Sequence, residues 1–412
     1  MKLSLNSLVL WALFLVPALL LTTPNGSVVV IALMSLYSIY FMFKNRQTLQ
    51  LNRFDKLVIA SLSSYFIIYI PTTIADGTTL RYFQGGLRLL LCIPIYFLLI
   101  AVLNEIKTEQ IKKTLIWGVS IGSFGAAVFA GYQSLILSMP RVDGFLYSIN
   151  FGYLSTALLC LSASFSLSSP KFRILLTLST FAALYATVST LTRGAIFAVP
   201  LLLIFGLILS IKQLCWKTSI AAVLALAVLS VASYHFSASV KKRIDYTVQE
   251  ITSIERGDIK AATSSGTRLF LWKAAIEAYK ESPLIGLPYK EREKLNRKLH
   301  EEGKVNDYVN KLPRGHAHNQ YFEMLASTGS LSFIGMYMML VFPLIVFVKH
   351  FWKTQSCWGY IGAVFVTGFM IFGLTEVPLQ ANSISAFYGF MLATFFALVR
   401  NDKYNVRHNK RD

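Results

Sequence analysis

Long apolar runs recur along the chain at a length that suits membrane-spanning helices. A hydrocarbon core of roughly 30 Å requires about 20 apolar residues per helix, and twelve runs of this kind are present. We expect spans at residues 6–23, 26–43, 57–75, 89–104, 114–138, 151–169, 174–192, 194–211, 218–236, 331–348, 358–375 and 382–399. The first run could be mistaken for a signal peptide, but another apolar run follows at once and no small-x-small cleavage site stands out. The pattern predicts an all-α polytopic membrane protein.

One long hydrophilic segment interrupts the spans. We therefore expect spans one to nine over residues 1–236, a large outer loop over residues 237–330, and spans ten to twelve with a basic tail over residues 331–412. Lysine and arginine are concentrated in alternate short loops and near both termini, which predicts that both termini are cytoplasmic. The long loop then lies on the outer side, since long loops cross the membrane regardless of their charge.

The composition supports this class and excludes others. The chain is 55% hydrophobic and 14% charged, with a net charge of +19. Topology signals and contacts of the tail with anionic lipid explain the positive charge, and no nucleic-acid module is recognisable. The four cysteines form no disulfide or metal-binding pattern.

Charged residues are missing from the predicted spans, which contain no Asp, Glu, Lys or Arg. Ion-coupled transporters usually need such groups near the middle of the membrane. We therefore place the polar chemistry at the outer face. The candidates there are Arg81, Arg88, Arg141, Arg193, Arg268, Arg314, His316, His318 and Glu376, with Asp76, Asp143 and Asn150 nearby in sequence.

Three stretches of the loop have helical patterns. "SSGTRLFLWKAAIEAYKESPLIG" predicts a short amphipathic helix that Ser265 or Thr267 can cap. "YKEREKLNRKLHEEGKVNDYVNK" predicts a solvated helix whose charges do no chemistry. A third short helix should begin after Asn319 and break at residues 327–329.

Two arginines have positions that suit anion binding. Arg193, in "STLTRGAIF", lies between two spans, where it could bind a phosphate or diphosphate bidentately or simply extend to the interface. Arg268 lies in the first turn of a helix, where backbone amides favour an anion, although a solvated charge is the simpler interpretation.

The two loop histidines are poor candidates for a shared metal. His316 and His318 point to different faces, and no Asp, Glu or Cys lies at ligand spacing. One of them could be a general base, with a structural histidine as the alternative. Glu376 ends the eleventh predicted span, and its simplest interpretation is pairing with one of the arginines.

These motifs resemble a known family. The combination of many spans, one long outer loop, "LTRG", "GTRLFLWKAAIEAYKESPLIG" and "HAHNQYFEMLASTGS" is similar to the O-antigen ligase family of Gram-negative bacteria. It also resembles the wider superfamily of O-antigen polymerases and protein O-oligosaccharyltransferases. "RVDGFLYSINFG" is a weaker match, and the similar residues are concentrated between about 141 and 380.

The resemblance implies a GT-C type glycosyltransferase of lipopolysaccharide biosynthesis in the inner membrane. It would transfer polysaccharide from undecaprenyl diphosphate to a lipid A-core sugar at the periplasmic face, with inversion and without metal or other cofactor. By this resemblance Arg193 and Arg268 are the functional arginines and His318 the functional histidine. His316 has a looser counterpart, and Arg314, Asn319 and Arg141 are expected as further substrate contacts.

Residue chemistry agrees with this expectation. Two arginines would stabilise the departing diphosphate, and His318 would deprotonate the acceptor hydroxyl. Three alternatives stay open. A polymerase would use the same chemistry on a lipid-linked acceptor, a flippase would need polar groups along a transmembrane path, and a lipid-sugar receptor would need no base. The acceptor sugar, the repeat unit and the oligomeric state are open as well.

Overall fold

A computed structural model describes residues 4–45, 51–211, 238–256 and 264–408, with side chains up to 402, and single positions between 220 and 235. The predicted ninth span, residues 218–236, falls largely outside the described residues. The helices before residue 210 are α1 (Leu5–Ala18), α2 (Gly26–Lys44), α3 (Arg53–Ile67), α4 (Ile70–Asp76), α5 (Phe83–Leu90), α6 (Cys92–Val102), α7 (Thr108–Gly131), α8 (Ser148–Ser168), α9 (Arg173–Ser189) and α10 (Arg193–Leu209). Those after residue 237 are α11 (Ala238–Glu255), α12 (Ser265–Glu281), α13 (Tyr289–Glu301), α14 (Asp307–Lys311), α15 (Gln320–Thr328), α16 (Leu331–Met336), α17 (Phe342–Thr354), α18 (Cys357–Gly373) and α19 (Asn382–His408).

The all-α polytopic class is confirmed. Within the described part of the chain there is no strand, and eight helical stretches are long and apolar enough to cross a membrane. Three apolar helices, α1, α10 and α18, are shorter. These eleven elements coincide with all the predicted spans except the ninth. The fourth begins earlier than expected, at Phe83, so Arg88 lies in the last turn of α5 rather than in a loop.

Close helix contacts depend on small residues. A Cβ at Gly118 or Gly122 of α7 would lie 2.4 Å or 2.2 Å from a backbone oxygen of α1. Glycine at these positions lets the two backbones approach, as is common between membrane helices. The helix α19 packs against α2, α5, α6 and α18, so the final described helix lies inside the bundle.

A buried polar group ties α3 to α19 at one end of the bundle. Asp55 is fully buried, and it accepts hydrogen bonds from the Tyr96 hydroxyl (2.6 Å) and from Nη2 of Arg400 (3.1 Å). The pairing offsets the cost of burying the carboxylate. The residues of the long hydrophilic segment pack at the opposite end, which we call the loop end.

The loop-end helices α12 to α15 share a small apolar core of their own. Its buried members are Leu271, Ala274, Ala275, Ala278, Leu295, Leu299, Val305, Val309, Ala317 and Ala326. The predicted amphipathic helix is confirmed as α12, although Ser264 rather than Ser265 precedes it and makes no side-chain cap bond.

The prediction that α13 is solvated is wrong for one of its faces. The buried residues Tyr289, Arg292, Leu295 and Leu299 recur at helical spacing, and that face packs onto the rest of the loop end.

Two glycine turns cross where this core meets the bundle. Gly286 and Gly329 have φ of 75° and 56°, and a Cβ on Gly286 would lie 2.3 Å from the carbonyl carbon of Ser327. The Thr72 hydroxyl of α4 lies 2.6 Å from the Ile285 oxygen and 2.7 Å from the Ser327 oxygen. The predicted break after α15 is confirmed, and it anchors the loop end to the membrane helices.

Candidate active site at the loop end

Asn319 fixes the histidine segment at the start of α15. Its side-chain oxygen accepts the N–H groups of Tyr321 (2.9 Å) and Phe322 (3.1 Å), as an N-cap residue does. Its amide nitrogen donates to the Leu374 oxygen at 2.8 Å, just beyond α18. These bonds do not favour the expected contact between Asn319 and a substrate, because both polar atoms of the Asn319 side chain are engaged within the protein.

A buried ion pair supports the backbone on either side of His316. The Arg292 guanidinium bonds to Glu323 (2.7 Å), and it also donates to the Gly315 oxygen. Glu323 in turn accepts the N–H of Ala317 at 2.8 Å. Burial alone would raise the pKa of Glu323, but Arg292 outweighs burial and lowers that pKa to about 2. The sequence analysis did not identify this ion pair. The helical spacing of the buried residues on one face of α13 is the pattern that could have revealed it.

One carboxylate contacts both histidines. Nε2 of His316 lies 3.0 Å from Oε1 of Glu376, and Nδ1 of His318 lies 2.9 Å from Oε2. The two rings meet edge to face with centroids 4.6 Å apart. The interpretation that Glu376 pairs with an arginine is therefore wrong. The Asn319–Leu374 bond explains why, since it brings the histidine segment to the end of α18.

The electrostatics of this cluster favour a charged carboxylate. Burial opposes ionisation of Glu376, but its hydrogen bonds to the two histidines lower its pKa well below the usual range. Burial likewise lowers the pKa of His316, and here too Glu376 outweighs burial, so the net pKa of His316 is raised. We call His316, His318 and Glu376 the His–Glu–His cluster.

The same three side chains could hold a metal ion. Their ligand atoms all lie within 4.8 Å of one another, and imidazole nitrogen and carboxylate oxygen are ligands that zinc accepts. The sequence-based statement that no acidic residue completes a site is thus incorrect, because spacing along the chain does not reveal Glu376. A metal-free reaction is still our expectation, and chelation tests it.

Arg193 faces the loop rather than the lipid. Its Nη1 lies 2.6 Å from Oε2 of Glu250, and its Nη2 donates to the Ser264 hydroxyl at 2.6 Å. Glu250 is buried and also accepts the N–H of Ser265 at 3.1 Å. Burial raises the pKa of Glu250, but Arg193 and the serine amides together lower it to about 2. No sequence motif pointed to Glu250.

Arg268 lines a cavity beside this pair. The cavity has a volume of about 340 Å³ and is lined by Ile251, Ile254, Glu255, Ser265, Arg268, Leu269, Trp272 and Thr375. Among the described residues, no side chain accepts a hydrogen bond from the Arg268 guanidinium or from the buried indole N–H of Trp272. The cavity thus combines an apolar wall with a guanidinium that is free to bind a ligand.

A close backbone contact joins the arginine side of the site to the histidine side. A Cβ on Gly194 would lie 2.1 Å from the Thr375 hydroxyl, which also lies 2.6 Å from the hydroxyl of Tyr153. The residue after Arg193 therefore touches the residue before Glu376. Ser265 lines the Arg268 cavity and also accepts a hydrogen bond from Arg193 at 3.3 Å. Arg193, Arg268 and the His–Glu–His cluster thus surround one region.

The two other predicted arginines have different surroundings. Nε of Arg141 donates to the Thr190 oxygen (2.8 Å), so Arg141 supports the turn that precedes Arg193. The backbone N–H of Arg314 bonds to Glu293 (2.7 Å), and its guanidinium lies over the Tyr289 ring at 5.9 Å. These contacts direct Arg314 toward α13, so they do not favour a role beside the histidines.

These features define a polytopic membrane protein with an arginine-lined cavity beside a His–Glu–His cluster. The family model described as O-antigen ligase matches residues 178–337, which include Arg193, Arg268 and His318. The match supports the O-antigen ligase superfamily, so the prediction made from the motifs is confirmed at that level. It also supports a ligase- or polymerase-type function in the membrane. Glu376 and Arg141 lie outside the matched residues.

A second comparison extends beyond this domain. A protein of Haemophilus influenzae (strain Rd), described as uncharacterized, is 23% identical over 383 residues. The similarity covers 90% of this chain and 92% of that protein. Similarity to that protein therefore includes the membrane helices on both sides of the matched domain.

Proposed function

We propose that this protein is an O-antigen ligase. It transfers polysaccharide from undecaprenyl diphosphate to a sugar of the lipid A-core, with inversion and without metal. The observation that carries the proposal is the placement of a carboxylate-bound histidine beside a cavity that contains an uncommitted arginine. The first provides a base and the second a binding group for an anionic leaving group.

The cavity suits the donor. Negative charge grows on the diphosphate as the anomeric C–O bond breaks, and Arg193 and Arg268 supply charge-assisted hydrogen bonds to it. The apolar side chains of Ile251, Ile254 and Leu269 line the same cavity and are compatible with a lipid-linked ligand.

The histidine suits the acceptor. Because Nδ1 of His318 faces Glu376, a proton held on Nδ1 leaves the Nε2 lone pair free to take the proton of the attacking hydroxyl. The acceptor oxygen then forms a bond to the anomeric carbon as the bond to the diphosphate breaks. Base catalysis of this kind contributes about a hundred- to ten-thousand-fold in rate. Glu376 acts as a positioning residue for His318.

The proposed orientation places the loop end in the periplasm and both termini in the cytoplasm. The distribution of lysine and arginine among the short loops supports this orientation. In this arrangement residues 1–236 and 331–412 form the membrane domain, and residues 237–330 cover its periplasmic end. The substrates approach from the membrane surface, where both the lipid carrier and lipid A are anchored.

Mass analysis of lipopolysaccharide from a deletion strain tests the reaction. Bare lipid A-core, with polymer left on the lipid carrier, is the result expected of a lost ligase. Core that carries a single repeat unit would instead identify a polymerase. Complementation with His318→Ala separates both enzymes from a flippase or a receptor, because only an enzyme requires the base.

A further inference from the structure

Four arginines, not two, lie around the donor side of the site. The pKa of Arg141 is lowered by burial and then by the charges of Arg243 and Arg193. The pKa of Arg243 is also lowered, by burial first and then by Arg193, while Arg268 contributes in the same direction. The Arg243 guanidinium therefore lies within electrostatic range of Arg141, Arg193 and Arg268. Arg243 belongs to none of the motifs that mark the family.

The geometry of α11 explains how Arg243 reaches this position. Arg243, Thr247 and Glu250 are spaced by four and three residues, so they share one face of the helix. Both Thr247 and Glu250 contact Nη1 of Arg193, at 3.3 Å and 2.6 Å. Arg243 lies one turn before Thr247 on that face. The face continues past Glu250 to Ile251 and Ile254, which line the cavity.

The cluster has too little negative charge of its own. Glu250 is the carboxylate that forms an ion pair with one of these arginines in the described part of the chain. Arg243 is partly buried, its guanidinium lies 5.9 Å from the centre of the Tyr246 ring, and its Nε has no hydrogen-bond acceptor among the described residues. Partly buried cations with too few carboxylates around them are unfavourable, so the cluster favours an anion. Four arginines and one carboxylate leave an excess of three positive charges, and a diphosphate esterified at both ends, with about two negative charges, would offset most of it.

We propose that Arg243 binds the donor diphosphate together with Arg193 and Arg268. This inference rests on the proposed function, and it assigns the third guanidinium of the donor site. Glu250 stays as the counter-ion of Arg193 in this arrangement. Arg141 acts as a positioning residue, because its Nε and Nη2 already bond to Thr190 and Thr192.

Binding of inorganic pyrophosphate to the full-length protein in lipid nanodiscs tests the inference without requiring transfer. Arg243→Gln should weaken binding about tenfold or more, which is the effect of losing one charge-assisted hydrogen bond. The matched control is Lys242→Ala, a neighbouring exposed cation on the same helix that points about 100° away. Wild-type affinity in Arg243→Gln, or equal small losses in both variants, would overturn the inference.

Arg268→Ala separates this inference from the proposed function. If pyrophosphate affinity is unchanged in Arg268→Ala, the proposed donor site itself is wrong. If Arg268→Ala weakens binding and Arg243→Gln does not, only the role of Arg243 is wrong. Should Arg243→Gln fail to fold, Arg243→Lys keeps the charge but loses the planar fork, so it should still bind several-fold more weakly. A folded Lys variant with wild-type affinity would contradict the proposal.

Discussion

Nδ1 of His318 lies 2.9 Å from Oε2 of Glu376, although 58 positions of chain separate the two residues. A charged carboxylate at this distance stabilises the proton on Nδ1 and the imidazolium that forms when Nε2 accepts a second proton. The site is therefore completed by a residue that lies beyond the long loop and outside the matched family domain.

Glu376→Gln should lower the rate of transfer by about a hundredfold or more. Glutamine keeps the shape of the side chain, but it loses the charge and can donate to Nδ1, which favours the wrong tautomer. Initial rates in proteoliposomes with a lipid-linked donor and lipid A-core measure the effect. Glu301→Gln, an exposed change on α13, is the control. A Glu376→Gln rate close to that of the control would remove Glu376 from the mechanism.

His318→Ala should abolish transfer and leave donor binding largely intact, whereas His316→Ala should be milder. Only His318 matches the family histidine, and His316 directs its Nε2 toward Glu376 rather than toward a substrate. Transfer rates and pyrophosphate affinity, measured on the same preparations, distinguish the two variants. Equal loss of transfer from both substitutions would contradict the assignment of His318 as the base.

Transfer should persist in excess EDTA, because the chemistry proposed for Arg193, Arg268 and His318 needs no metal ion. The control is the same enzyme dialysed without chelator. Activity that is lost on chelation and restored by a divalent ion would instead make His316, His318 and Glu376 metal ligands, since their ligand atoms lie within 4.8 Å of one another.

Alanine at Arg193 or Arg268 should each lower the transfer rate on the order of a hundredfold or more. Lysine should restore little, because it keeps the charge but loses the bidentate fork. If both arginines bind one leaving group, the double variant should fall well short of the product of the single losses. Multiplicative losses, or a Lys variant near the wild-type rate, would assign them separate tasks.

A second readout separates the roles of these two arginines. In the described part of the chain, Arg193 pairs with a buried carboxylate, Glu250, and Arg268 does not, so Arg193→Ala should also lower the melting temperature. Arg268→Ala should leave the melting temperature nearly unchanged.

Glu323→Gln should destabilise the loop end by about 3 kcal/mol or more at neutral pH, because it leaves buried Arg292 without its counter-ion. The pKa of Glu323 falls from 4.5 to about 2 on folding. A lowered pKa means that the stabilisation is complete above about pH 4.5 and is lost as the pH falls toward 2. The difference in melting temperature between wild type and Glu323→Gln should therefore shrink below about pH 4. A constant difference would show that the ion pair is not its source.

The hydrophobic pattern was sufficient to predict the spans. Apolar runs long enough to cross a membrane have few other stable conformations, so eleven of the predicted spans coincide with described helices. Cap and break signals likewise located α12 and the break after α15. The partners of the charged residues were not predictable in this way. Glu376 contacts the histidines and Glu250 contacts Arg193 across 57 to 60 positions, and no local pattern encodes those pairings.

The face of α13 shows a different limit. Its charges suggested solvent exposure because both signs alternate along the stretch, yet Arg292 is fully buried among Tyr289 and Leu295. The helical spacing of the leucines correctly indicated a buried face, but the prediction followed the charge pattern instead. Arg243 likewise stood out in neither sequence nor motif, since its position depends on how α11 packs against Arg193.

The order of synthesis gives the position of α19 a consequence for assembly. This helix follows all the others described, yet most of its Asn382–Asp402 stretch is buried, and it packs against α2, α5, α6 and α18. The helices made before α19 therefore complete their packing only once α19 is inserted among them. Glu376, just before it, arrives equally late. In the proposed mechanism, a nascent chain that already carries its arginines therefore lacks the carboxylate that positions His318.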